Sequence, residues 1–221
     1  MRKLMTIMAA TASLFTSLTA MSAETTVQID LSQTGPAIDD HVYGQFIEHL
    51  GRCIYGGIWA EMLEDRKFYF DVKAEYAPYT KFVDSEYPVV GASPWEIVGD
   101  KTGVSMTKEN VFVGDHSVQV KQGSGIRQND LGVVAGRDYV GYVWVRSMAK
   151  SDAPLTVTLS WGDADAQSQS VKLVAGNADY VKLPFSFTAG GATDHARLTI
   201  AAEADLVIGT LSLMPADNVQ G

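Results

Sequence analysis

The chain has 221 residues, 46% of them hydrophobic, which is enough apolar material for one large or two modest domains with a real core and excludes a disordered chain. Its 26 acidic residues outnumber its 17 basic ones, and the formal charge of −9 repels phosphate backbones and argues against a nucleic-acid partner. One cysteine, Cys53, excludes an intrachain disulfide, so stability comes from packing.

In chain order, Arg2 and Lys3 form a positive start, Leu4 to Leu18 a mostly apolar stretch, and Ala20 to Ala23 a run of small residues. This is the pattern of a secretory signal peptide over residues 1–23, with a mature chain starting near Glu24 and a periplasmic or extracellular destination. Thr6, Thr11, Ser13, Thr16 and Ser17 interrupt a segment already short for a span of about 20 residues, so no membrane anchor is expected after cleavage. Loss of Arg2 and Lys3, with no acid in that segment, takes the charge from −9 to −11.

Val27, Ile29 and Leu31 alternate with Gln28, Asp30 and Ser32, as in a half-buried strand. Gly35 and Pro36 break the pattern before a second apolar run, Val42 to Ile47, which is followed by Glu48, His49 and Gly51. A buried strand delivers polar groups to a pocket rim in this way, and that makes Glu48 the candidate polar group of a site, against the alternative of an ion pair with Arg52 or Arg66. Trp59 to Lys67 reads as a helix, with Trp59, Met62 and Leu63 on one side and Glu61, Glu64, Asp65 and Lys67 on a solvated acidic face. Asp71 to Pro94, with three prolines, reads as a connector.

From Trp95 to about Leu213 the chain becomes a series of short alternating segments separated by Gly, Asp and Asn turns, the pattern of an all-β sandwich. Leu155 to Trp161 and Val181 to Phe187 are the clearest strands. Ser117 to Lys121, Tyr139 to Arg146, Ala196 to Ala201 and Leu206 to Leu213 are further ones. Trp161 shares a face with Leu155, Val157 and Leu159 and reads as core, as does Trp95. Tyr142 and Trp144 lie on one side of a strand and form the best pair for stacking on a sugar ring, with core packing as the competing reading.

No phosphate loop or dinucleotide motif is present: Gly123 and Gly125 are followed by Gln128 where a third glycine belongs. His49 and Cys53 are one helical turn apart, yet no second pair completes a zinc site. Asp163 and Asp165 read as a solvated acidic turn, although a structural calcium there stays open; no other cofactor is expected. Cys53 reads as a small buried residue rather than a nucleophile.

The stretch GQFIEHLGRCIYGGIWAEMLEDRKFY, Gly44 to Tyr69, resembles the opening signature of glycoside hydrolase family fifty-one, the α-L-arabinofuranosidases. The segments GIRQNDLGVVAGRDYVGYVWVRS and IGTLSLMPADN resemble, more loosely, the β-sandwich carbohydrate-binding modules that some members carry after the first barrel strand. Asp65 and Lys67 depart from the asparagine and serine found in many members. The resemblance implies a jelly-roll-like β-sandwich over residues 92–214, preceded in residues 24–91 by the first strand and helix of an incomplete (β/α)8 barrel. Residues 215–221 would return to that barrel. It implies a retaining hydrolase whose two catalytic glutamates lie on later barrel strands, beyond this chain, so that the fragment alone is inactive. Glu48 would bind the arabinose without cleaving it. The implied partner is an arabinose-containing plant cell-wall polysaccharide, arabinoxylan or arabinan. The alternative is a free-standing secreted carbohydrate-binding protein.

Overall fold

The computed structural model describes residues 60–79, 91–149 and 151–218, with positions 27, 30, 32, 35–39 and 42. The chain divides into two units, Met1–Glu48 and His49–Gly221. In the first, the Asp30 carboxylate accepts from the amide and hydroxyl of Ser32 at 2.9 and 2.7 Å, and the Val42 amide closes a turn on the Asp39 carbonyl at 2.9 Å. The segment 1–23, most of the two expected strands Val27 to Leu31 and Val42 to Ile47, and Glu48, His49, Arg52 and Cys53 lie outside the described residues.

Among the described residues of the second unit there are ten strands: β1 (Trp95–Gly99), β2 (Val104–Thr107), β3 (Ser117–Val120), β4 (Ser124–Val133), β5 (Asp138–Ser147), β6 (Ala153–Ser160), β7 (Ser168–Ala175), β8 (Val181–Thr188), β9 (Thr193–Ala202) and β10 (Leu206–Pro215). They form two five-stranded sheets, β1-β4-β9-β6-β7 and β2-β3-β10-β5-β8. Every pairing is antiparallel. The alternation explains the layering, because a period of two sends every second side chain to the same face. Leu155, Val157 and Leu159 of β6, with Leu198 and Ile200 of β9, meet Val143 and Val145 of β5 and Ile208, Leu211 and Leu213 of β10 in one buried cluster. The expected sandwich is therefore present, and all six strands anticipated from alternation form.

The expected helix is not there. Among its described residues, 60–63 are irregular and 64–67 form a turn. Asp65 and Phe68 adopt positive φ, 45° and 57°, a conformation that no right-handed helix accommodates. The Asp65 carboxylate accepts from the Tyr69 and Phe70 amides at 2.6 and 3.0 Å, holding the turn closed. The remaining backbone groups bond to the sandwich rather than to each other. Met62 donates to the Leu213 carbonyl at 2.9 Å, and Leu211 donates to the Arg66 carbonyl at 3.3 Å. Strand β3 pairs with only Leu206–Ile208 of β10, so the edge of β10 beyond the bulge at Gly209 is free to receive this segment.

The same segment closes one side of the core. Leu63, Phe68 and Val72 are buried, and Phe68 packs on the indole of Trp95 with centroids 5.7 Å apart. Gln128 points between the sheets and is 3% exposed, which would be costly without partners. Its amide accepts from the Glu64 amide and donates to the Glu64 carbonyl, each at 2.8 Å, and Trp95 Nε1 donates to the Asp65 carbonyl at 3.1 Å. Residues 61–72, read from sequence as part of a helix and connector, are thus built into the sandwich. Among the described residues no barrel strand or barrel helix stands.

Candidate functional site

Strand β5 directs Val143 and Val145 into the core and Tyr142, Trp144 and Arg146 outward. Across the ladder Tyr142 faces Pro184 and Trp144 faces Lys182 of β8. Both aromatics anticipated from sequence are half-buried on this outer face, so neither belongs to the core cluster.

Each ring has one side occupied. Trp144 stacks on Phe112, with centroids 4.7 Å apart and planes at 28°. Such a pair contributes ~0.5–1.5 kcal/mol beyond its buried area. Phe112 comes from the loop between β2 and β3, where its amide donates to Ser117 Oγ at 3.3 Å, and the Tyr180 hydroxyl donates to the same oxygen at 3.1 Å. The loop reaches the sheet because residue 209 is glycine: a Cβ there would lie 2.4 Å from Phe112 Cβ. Lys182 Nζ sits 4.0 Å from the centroid of Tyr142, a cation–π contact that fixes this tyrosine ring against β8.

The upstream segment borders the same face. Arg66 Nη1 donates to the Tyr142 hydroxyl at 3.2 Å and lies 3.6 Å from a Glu61 carboxylate oxygen. Glu61 is not the solvated acid expected on a helix face: its side chain is 5% exposed. It accepts from Ser212 Oγ at 2.7 Å, from the Leu213 amide at 2.9 Å and from the Leu63 amide at 3.1 Å. Glu64 and Asp65 beside it are both held above the usual carboxylate range by burial; at Asp65 the Phe70 and Tyr69 amides and nearby His116 oppose that rise.

Arg146 lies one step along the face from Trp144. Its Nη2 donates to the Glu109 carbonyl at 3.3 Å, and its guanidinium carbon is 5.6 Å from the Tyr180 centroid. Its buried Nε meets no acceptor. Sequence reasoning found Tyr142 and Trp144 but missed Phe112, Arg146, Tyr180 and Lys182 as their neighbours. Only Lys182 carried a signal, its outward place in the Val181 to Phe187 alternation.

Other sequence candidates fall elsewhere. Trp95 is 1% exposed, as expected of core. Trp161 is partly buried against the core and lies over Gly190 and Gly191, where added Cβ atoms would come within 2.8 Å of its ring. Asp163 pairs with Arg197 at 2.9 Å. Among the described residues no group of three or more His, Cys, Asp or Glu side chains is arranged to hold a metal. Two depressions of about 350 and 310 Å³ are lined respectively by Tyr69, Phe70, Asp71, Lys73 and Glu75 with Gly91, Ala92 and Ser93, and by Arg137, Asp138, Ala216 and Asp217; neither is lined by Tyr142 or Trp144. No described helix is long and apolar enough to cross a membrane.

The chain is similar to α-L-arabinofuranosidases. It is 28% identical over 197 residues to the extracellular exo-α-L-arabinofuranosidase of Streptomyces chartreusis, covering 87% of this chain and 22% of that one. It is 23% identical over 217 residues to α-L-arabinofuranosidase 2 of Arabidopsis thaliana, covering 89% and 30%. A shorter match, 50% over 34 residues, covers 15% of this chain and 7% of the intracellular exo-α-L-arabinofuranosidase of Bacteroides ovatus. The chain therefore spans less than a third of the length of these relatives. No protein-family profile matches it. Among solved structures, its neighbours include two carbohydrate-binding modules. One is the xylan-binding family 22 module of Paenibacillus barcinonensis: TM-score 0.44, 16% identity, 57% of this chain and 87% of that one. The other is a family 22 module of Clostridium thermocellum: TM-score 0.44, 14% identity, 71% and 99%.

Proposed function

We propose that this chain is part of an exported, retaining α-L-arabinofuranosidase of glycoside hydrolase family fifty-one, and that its sandwich is a glycan-binding module. The similarity to an arabinofuranosidase over 87% of the chain carries the reading, because a match of that extent takes in sandwich and upstream segment together. In this reading Glu48 grips the terminal arabinofuranose of arabinoxylan or arabinan. Two further carboxyl groups downstream, about 5 Å apart, perform the double displacement. Residues 1–23 direct export, and no cofactor is required beyond an optional structural calcium.

The sandwich contributes affinity rather than chemistry. A sugar ring presents an apolar face of C–H groups that packs on an aromatic ring, and Tyr142 and Trp144 are the outward aromatics on β5.

The test uses the chain extended through its downstream region, assayed on an aryl α-L-arabinofuranoside. Hydrolysis is expected, with Glu48→Ala lowering kcat/KM by at least ~100-fold, the scale of losing a charge-assisted substrate contact in a closed site. An extended enzyme with no activity on that substrate, or a Glu48→Ala variant as active as the parent, overturns the reading.

A further inference from the structure

The outer face of the second sheet carries cations that no carboxylate among the described residues neutralises. Arg66, Arg127, Arg137 and Arg197 each lie within 4.0 Å of a carboxylate, at 3.6, 2.7, 2.7 and 2.9 Å. Arg146 is the described arginine that does not, in a chain with 26 acids to 17 bases. It holds one backbone carbonyl at 3.3 Å and has a buried Nε without an acceptor. Among the described residues Lys182 likewise meets no carboxylate; it lies over the π face of Tyr142. An acidic protein that pairs its other described arginines and leaves this one beside a stacked tryptophan has an unmet electrostatic demand at that place.

The two cations are also close to one another and to the rings. Trp144 pairs directly with Lys182, and Arg146 follows two residues along the same side of β5. Side chains in that diagonal relation stand about 7–8 Å apart at their Cα atoms, roughly the span of one sugar ring. A guanidinium matches a carboxylate through paired N–H donors, whereas a neutral hydroxyl uses its charge poorly.

On this ground, and resting on the glycan-binding reading above, we infer that the β5–β8 face selects a uronic-acid-bearing glycan. The sugar ring lies against Trp144 and its carboxylate is held between Arg146 and Lys182. The aromatic floor favours a sugar over an acidic peptide, because the charge is placed around a surface suited to a flat ring of C–H groups. The net charge of −9 disfavours long polyanions in general, so the attraction is local to this face.

The experiment titrates the 221-residue chain with a xylo-oligosaccharide bearing a glucuronic acid branch, with the unbranched neutral oligosaccharide of equal length, and with an oligoglutamate of matched charge, by calorimetry at low salt. The acidic sugar should bind about tenfold more tightly than the neutral one, as charge-assisted contacts allow, and this advantage should shrink several-fold near 0.3 M salt. Lys182→Gln, at an exposed position, should weaken the acidic sugar more than the neutral one and so bring the roughly tenfold preference to within about twofold, and Arg146→Gln, checked for folding by thermal melting, should do the same; a Lys182→Gln variant that keeps the full preference overturns the inference. Equal affinity for both sugars overturns the inference and leaves the glycan-binding reading standing. Binding of the oligoglutamate as tight as that of the acidic sugar overturns it as well. Failure of every sugar to bind overturns both.

Discussion

The two sheets of the sandwich obey the same alternation and yet turn opposite kinds of surface to solvent. On the first sheet, the outward strand positions carry no Phe, Tyr or Trp, and the polar groups satisfy one another. Glu96 binds Arg127 and Asn129 at 2.7 and 3.0 Å, Thr158 pairs with Ser170 at 2.8 Å, and Thr156 with Glu203 at 2.6 Å. On the second sheet, the outward positions carry Tyr142 and Trp144, flanked by cations without carboxylates, and one edge is occupied by residues 61–66. A surface whose polar groups are mutually satisfied gains little from a ligand. One whose donors are left over, beside exposed aromatic area, has interaction free energy still to be gained.

The largest expected effect probes how far the second face depends on its upstream border. Phe68 is 1% exposed against Trp95, and Phe68→Ala leaves a cavity that a sandwich edge cannot fully collapse. A loss of ~3–5 kcal/mol is expected by urea unfolding. A change below ~1 kcal/mol would mean that residues 61–72 are an appendage and that the two faces are equally self-contained.

A smaller effect separates neighbours on one strand. Gln128→Ala strips partners from both the amide and the carbonyl of Glu64, while Asn129→Ala, one residue on and facing the first sheet's solvent side, removes surface contacts only. The former is expected to cost ~2 kcal/mol by the same measurement and the latter under ~0.5 kcal/mol. Equal costs would show that the inward amide is not holding the segment.

Strand alternation was the legible part of the sequence. It located β5, β6 and β8 to β10 within a few residues, and put Tyr142 and Trp144 on a common side. β4 escaped because Gln128, Asn129 and Asp130 interrupt its apolar run, with register shifts on both sides of Leu131 and Asp130 at φ 58°. β7 escaped because it is an edge strand opening on Ser168, Gln169 and Ser170. The segment Trp59 to Lys67 reads as a helix because its apolar spacing fits one, and its described residues, 60–67, do not form it. What decides its conformation is the Asp65 turn and the free edge of β10, where the bond from Thr210 to Arg66 spans 144 residues of sequence. Phe112 was invisible as a site residue for the same reason, since it reaches Trp144 through a loop that no local pattern encodes; Lys182 shows its outward place in the alternation but not its pairing with Trp144.

The smallest effect is electrostatic and distinguishes the first sheet's outer face from the upstream segment by sign. At Glu96, on the first sheet, burial pushes the carboxyl up, but the Arg127 and Asn129 hydrogen bonds and the Arg127 and Lys101 charges outweigh it and hold the group below its ordinary 4.5. As pH falls, the unfolded chain takes up this proton first. The stabilisation from Glu96 is therefore complete above that ordinary value and is lost as pH falls through the lower folded one. Glu64 and Asp65, in the upstream segment, are shifted upward by burial, so they penalise folding above their raised values and the penalty fades as pH falls. Thermal melts of the parent and Glu96→Gln isolate the first term. Near pH 7 the variant should be less stable by about 0.5 kcal/mol, a value discounted for screening at a partly exposed pair. That gap should close as the pH is taken below 4.5, because the parent then loses the charge that the variant lacks. A gap unchanged down to about pH 3 would show that the Glu96 pair contributes packing rather than charge, and this electrostatic contrast would fall.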